Sequence, residues 1–184
     1  MNNCYLDAEA VITFFRMTGR KHIFITGSRG SGKSHLVNNM LKYMSDSFNL
    51  LQSHRTDTPQ VVIKSNLVAD NKEFVIGIPR TSGINPVSKG NNMTIIEDGF
   101  INCAIPAIDT HLDTTPERLF VIDELGYLES SCIPFQKAVE KLLDNSHVLA
   151  VIRKQSTEFL NRICNRKDVL VIDIDNTFET LSCI

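Results

Sequence analysis

Gly27, Gly32, Lys33 and Ser34 stand at the spacing G-x-x-x-x-G-K-[ST], in the stretch Gly27-Ser28-Arg29-Gly30-Ser31-Gly32-Lys33-Ser34. This is the pattern of a loop that binds polyphosphate. A triphosphate spreads negative charge over oxygens that need donors from many directions, and a Gly-rich turn can aim successive backbone N–H groups inward. Lys33 supplies a positive point charge for the β- and γ-phosphates, and the Ser34 hydroxyl is placed to ligate Mg²⁺. The helix expected to begin at Lys33 adds the partial positive charge of its N-terminus. By average composition a four-position match arises by chance about once in a few hundred chains of this size. The nucleotide contacts expected from this stretch are Gly27, Ser28, Arg29, Gly30, Ser31, Gly32, Lys33, Ser34 and His35. For Arg29, facing solvent is the alternative.

Hydrolysis needs a second group, because the metal must be held from the other side, and a carboxylate ending a buried strand suits it. Leu119-Phe-Val-Ile-Asp123-Glu124 and Val169-Leu-Val-Ile-Asp173 both place an Asp after an apolar run, but only the first adds a second carboxylate. Asp123 is therefore assigned with Ser34 to Mg²⁺. Glu124 becomes the general base or water-orienting group, joining Lys33 as a catalytic residue. The alternative is that Asp123-Glu124 begins a solvated turn. Asp173 and Asp175 are read as ending a structural strand, and Gly126 as permitting a tight turn beside the nucleotide. Arg55, Arg80 and Arg153 are candidates for transition-state charge, with surface ion pairs as the alternative. His111, between Asp109 and Asp113 and bracketed by Pro106 and Pro116, is read as part of a solvated loop and not as a metal ligand.

These groups need rigid elements behind them. Ile23–Thr26 reads as a buried strand feeding the loop, and Leu36, Met40, Leu41 and Met44 form an apolar stripe at helical spacing after it. Residues 7–18 predict a short amphipathic helix stopped by Gly19 and packed beside the first strand, with a partner-binding helix as the alternative. Between residues 55 and 105, short β-branched runs at 61–63, 74–78, 93–96 and 100–101 predict an antiparallel insertion. Asp98-Gly99 is read as a two-residue hairpin turn there, and 81–92 as a mobile loop. The last third alternates strand 119–122, helix 134–144, strand 148–152, helix 156–164, strand 169–174 and a short terminal helix. Such alternation implies parallel βαβ units, whose ligands bind at the carboxyl ends of the strands.

Composition narrows the class. The 184 residues predict one domain, and 19 basic against 21 acidic residues, net −2, give no strong nucleic-acid or anionic-membrane signature. No apolar run reaches membrane-spanning length. Five scattered cysteines without metal spacing fit a reducing cytoplasm.

The stretches IFITGSRGSGKSHL (23–36), VIDELGYLE (121–129), VLAVI (148–152) and, more weakly, FLNRICNRKDVLVIDIDN (159–176) resemble the nucleoside-triphosphatases of the thermophile and vertebrate cancer-related type, which include bacterial nucleotide kinase-like members. The resemblance implies a three-layer α/β/α sandwich of the P-loop NTPase kind, with a largely parallel core sheet extended by antiparallel strands. It implies Mg²⁺-dependent hydrolysis of ATP, GTP and other nucleoside triphosphates with little base preference, and a loop-ordering role for Glu129. Residues 1–20 extend beyond the usual start of that family, and Thr177 follows Asn176 where relatives often carry Arg. Two rivals remain at this stage. One is a nucleotide or small-molecule kinase, disfavoured because no Arg-rich lid lies between Arg118 and Arg153. The other is a nucleotide-binding regulatory module with little turnover. The physiological nucleotide and any protein partner are not legible.

Overall fold

The computed structural model describes residues 7–44, 47–80 and 93–176. Its centre is an eight-stranded sheet ordered β5-β4-β3-β2-β6-β7-β1-β8. The parallel part consists of β1 (His22–Gly27), β2 (Phe48–Arg55), β6 (Leu119–Leu125), β7 (His147–Arg153) and β8 (Val169–Asp173). The antiparallel extension is β3 (Val61–Ser65), β4 (Phe74–Pro79) and β5 (Met93–Ile95). Helices cover both faces. On one lie α1 (Ala8–Thr18) and α2 (Lys33–Met44), and on the other α4 (Ile105–Thr114), α5 (Ile133–Asn145) and α6 (Glu158–Cys164).

The strand pattern decides which side chain meets which layer. In β1, Ile23 and Ile25 pack with Val11, Ile12, Val37 and Met40 of α1 and α2, whereas Phe24 points to the opposite core. Alternation along one strand thus feeds two hydrophobic layers, as a sheet sandwiched by helices requires. The Asp7 carboxylate caps α1 by accepting the Glu9 N–H at 3.2 Å, and Gly19 closes it in the left-handed region at φ 65°. The N-terminal helix therefore packs on the sheet, as its apolar stripe predicts.

The middle third departs from the sequence reading in three ways. First, β2 is a parallel strand beside β6 that the sequence reading left unassigned. Second, Asp98-Gly99 is not a hairpin turn and Phe100–Ile101 is not a strand. Glu97–Gly99 forms one α-turn, α3, which runs through a π-helical Phe100–Ala104 into α4. Gly99 is helical here, and a Cβ on it would lie 2.4 Å from the Val75 carbonyl oxygen, so it serves close approach to β4. Third, His111 is not in a solvated loop: it is fully buried in α4. Its Nδ1 accepts from Asn49 Nδ2 at 2.8 Å, its Nε2 meets Ser146 Oγ at 2.7 Å, and its ring stands edge-on to Phe120. Burial pushes its pKa down, the state in which one ring nitrogen accepts while the other donates. This knot ties α4 to β2 and to the turn before β7, so it is structural. The expected loop 81–92, the terminal helix and Thr177 lie outside the described residues.

A second buried histidine sets a pH limit. His22 is fully buried at the start of β1, where Nδ1 accepts the Val148 N–H at 3.2 Å and Nε2 lies 3.4 Å from Asp168 Oδ2. Burial outweighs the attraction of Asp168 and lowers its pKa to about 4. Between pH 6.5 and 4 the unfolded chain binds a proton at this position and the folded chain does not. Stability should therefore be fully present above pH 6.5 and fall as pH drops through that window, by about 3 kcal/mol from this group. Urea unfolding at pH 7 and pH 4.5, with an NMR titration of the His22 ring, checks this. A ring that titrates near 6.5 would contradict it.

Candidate active site

All five parallel strands deliver their carboxyl ends to one edge of the sheet. Gly27 of β1 leads there into the glycine-rich loop, and the other ends carry charged side chains: Arg55 from β2, Asp123 and Glu124 from β6, Arg153 from β7 and Asp173 from β8. Over this edge lies a cleft of about 740 Å³, lined by residues of the Gly27–His35 stretch and by Arg55, Glu124, Arg153, Lys154 and Gln155. Five basic side chains (Arg29, Lys33, Arg55, Arg153 and Lys154) face one carboxylate, Glu124, so the cleft suits an anion.

The loop from β1 to α2 is bent by glycines. Gly30 and Gly32 have φ of 78° and 92°, where L side chains are strained, so Gly32→Ala would distort the turn. Lys33 Nζ donates to the carbonyls of Gly27 at 2.9 Å and Ser28 at 2.7 Å, which holds its ammonium across the loop. Ser31 closes the same turn by donating to Ser28 O at 2.7 Å. His35, in the first turn of the helix, lines the cleft and bonds Asn39 at 3.0 Å.

Ser34 and Asp123 come together, as sequence spacing alone could only suggest. The Ser34 hydroxyl donates to Asp123 Oδ1 at 3.5 Å. Burial pushes the Asp123 carboxyl up and the neighbouring Glu124 adds to that, while hydrogen bonds from Ser34 and Gln52 oppose it. A hydroxyl and a carboxylate at this separation form a hard-oxygen pair of the kind that holds Mg²⁺, which keeps several waters and takes few protein ligands. Glu124 lies in the cleft beside them, and its Oε1 is paired with the Arg153 guanidinium.

Behind these groups stands a support network. Glu129 is buried; its carboxylate accepts the Gly126 N–H at 2.9 Å and the Ser53 hydroxyl at 3.1 Å. Ser53 also reaches the Glu124 carbonyl at 3.4 Å. Glu129 thereby orders the turn after the carboxylate pair. Gly126 opens this turn, its carbonyl accepting the Ser130 N–H at 3.0 Å, without a left-handed backbone. A Cβ there would lie 2.8 Å from Arg153 Cδ, so glycine admits the arginine that holds Glu124.

Of the other candidates, Arg29, Arg55 and Arg153 line the cleft, whereas exposed Arg80 does not. Asp175, read from sequence as the end of a structural strand, reaches the loop itself. Its Oδ2 accepts the Ser28 N–H at 2.7 Å and the Ser28 hydroxyl at 2.6 Å, and Lys154 bridges it to Asp173. The Ser28 hydroxyl, with Lys154 and the Ser28 N–H, holds the Asp175 carboxyl below its usual range. Lys154, Gln155, Ser53 and Gln52 escaped the sequence reading. Their only signal is position, in the carboxyl half of a parallel strand or just past its end.

Comparison with known proteins gives one family and one fold. The family model described as NTPase matches residues 22–179. The chain is 26% identical over 155 residues to the nucleoside-triphosphatase THEP1 of Thermotoga sp. strain RQ2, covering 83% of this chain and 86% of that protein. Its counterpart in Thermotoga maritima is 23% identical over 154 residues, covering 83% and 86%. Among solved structures, THEP1 from Aquifex aeolicus superposes with a TM-score of 0.65 at 18% identity, covering 87% of this chain and 96% of that one. A human cancer-related nucleoside triphosphatase superposes at 0.62 with 18% identity, covering 89% and 96%. At such identity these two structures speak to the fold, a three-layer P-loop sandwich.

Proposed function

Because this chain belongs to the NTPase family, whose match spans all eight strands of its sheet, we propose that it hydrolyses nucleoside triphosphates to diphosphate and phosphate at the β1–α2 loop. One observation carries the reading. The Ser34 hydroxyl and the Asp123 carboxylate meet at 3.5 Å, next to Lys33 on one side and to an arginine-held Glu124 on the other. In this reading the backbone of residues 28–34 cradles the phosphates, and Lys33 leaves its two carbonyl partners for the β- and γ-oxygens. Ser34 and Asp123 would hold Mg²⁺, which would offset the charge on the phosphate oxygens. Glu124 orients a water for in-line attack and takes its proton. Arg153 fixes the Glu124 carboxylate, and Arg55 faces the same space from β2.

The lining of the cleft supports broad base tolerance. Backbone amides and basic side chains read phosphate, not the edge of a base. ATP, GTP, CTP and UTP with Mg²⁺ should give kcat/KM values within about tenfold of one another, since a site built to hydrogen-bond one base would discriminate far more. Free phosphate is the readout, and a preference above about 10³-fold for one base would contradict the reading. We also place the protein in the cytoplasm, since Cys103, Cys132 and Cys164 are free thiols. No helix among the described residues is long and apolar enough to cross a membrane.

A further inference from the structure

A second cleft, of about 550 Å³, opens on the far side of Glu124 from the phosphate loop. It shares Arg55, Glu124, Arg153 and Gln155 with the first cleft, and no residue of Gly27–His35 lines it. The attacking water does not account for such a space, because water needs only about 30 Å³. Its volume falls in the range that takes small organic molecules, about 300–1,000 Å³.

The position follows from the geometry of phosphoryl transfer. The attacking and leaving oxygens lie roughly in line on opposite sides of the γ-phosphorus. With the leaving oxygen on the loop side, the attacking oxygen comes from the side of Glu124, where the second cleft opens. The lining indicates what would enter. Pro59, Val61, Pro79, Met93, Tyr127 and Leu128 give an apolar wall with one aromatic ring. The charges here are largely paired: Arg153 is held by Glu124 and His54 by Glu73 at 3.2 Å, and Glu129 is buried in its bonds to Gly126 and Ser53, while Arg55 is shared with the first cleft. A cleft with paired charges and one apolar wall favours an uncharged ring compound with a hydroxyl over an anion.

We propose that this second cleft is an acceptor site for a neutral, nucleoside-sized alcohol, to which the γ-phosphoryl group is transferred in competition with water. The proposal rests on the triphosphatase reading above, since it uses the same γ-phosphate and Glu124. In the step, the acceptor hydroxyl oxygen bonds to the γ-phosphorus and the bond to the β,γ-bridging oxygen breaks. The hydroxyl proton passes to the Glu124 carboxylate, and the products are nucleoside diphosphate and a phosphomonoester.

The test incubates the full chain with Mg²⁺ and γ-labelled ATP, alone or with each common nucleoside or nucleoside monophosphate, and separates free phosphate from labelled organic phosphate. The expected result is label on at least one nucleoside, with free phosphate reduced in that lane. Met93→Trp, which fills the cleft, should cut transfer by about tenfold or more while leaving phosphate release without acceptor unchanged. Tyr127→Ala, which removes the ring from the wall, should do the same and serves if the first variant does not fold. Free phosphate in every lane with no labelled nucleoside would overturn the acceptor site and leave hydrolysis standing. Label on nucleoside monophosphates alone would overturn the neutral-alcohol assignment. Label in neither water nor acceptor would overturn both this proposal and the triphosphatase reading.

Discussion

Glu124→Gln is expected to lower phosphate release by about 10²-fold or more, the scale of losing a general base. Gln keeps the length of the side chain and an oxygen that can accept from Arg153, so the local packing around the Glu124–Arg153 pair should survive. What it loses is the charge that orients a water and receives its proton. Lys33, Ser34 and Asp123 are untouched, so affinity for Mg-triphosphate should stay within a few fold. It could only tighten, because a negative charge beside the γ-phosphate is gone. Single-turnover phosphate release alongside equilibrium nucleotide binding separates the two quantities. Retention of more than about a tenth of the wild-type rate would move the role of base away from Glu124. Buried Glu129 would then have to be freed from Gly126 and Ser53 before it could act.

Lys33→Ala should abolish most of the stabilisation that nucleotide gives the fold. With Mg-nucleotide at a hundredfold excess over Kd, linkage raises wild-type stability by about 2.7 kcal/mol. For a domain of this size that corresponds to a Tm increase of roughly 5–11 °C. The lysine ammonium, now bonded to the carbonyls of Gly27 and Ser28, is the charge best placed to meet the terminal phosphates. Its removal also orphans those two carbonyls, but they face the cleft and can be solvated. The apo Tm should therefore change little while the nucleotide-induced shift collapses. Thermal scans of both proteins with and without nucleotide give the answer. An equal shift in the variant would show that the loop amides alone carry binding.

The sequence was most legible where chemistry and local structure coincide. The loop motif, its strand and its helix can be read together because glycine positions, a lysine and an apolar stripe all serve one local turn. The pairing of Ser34 with Asp123 follows from topology: two strands separated by one neighbour end at the same edge. The failures were non-local. In β2, Asn49 is buried only because His111 and Thr115, more than sixty residues away, satisfy its amide. Its strand therefore lacks the apolar alternation that would have marked it. The helical stretch through Phe100, Cys103, Ala104, Ala107, Ile108 and His111 does carry spacings of three and four. Asp98-Gly99 masks it, because the pair has turn chemistry while the glycine's use here is contact with the backbone of β4. Nothing in the sequence around Asp175 reveals that β8 lies beside β1, which brings its carboxylate to the Ser28 N–H.

Hydrolysis at the γ-phosphorus is the central claim, and the most direct measurement is a single turnover of MgATP in ¹⁸O-labelled water, with mass analysis of both products. The expected result is one ¹⁸O in each phosphate released and none in the diphosphate, because a water held by Glu124 attacks the γ-phosphorus while the β,γ-bridging oxygen leaves with the nucleotide. Label in the diphosphate, or no labelled phosphate from fully bound nucleotide, would contradict it.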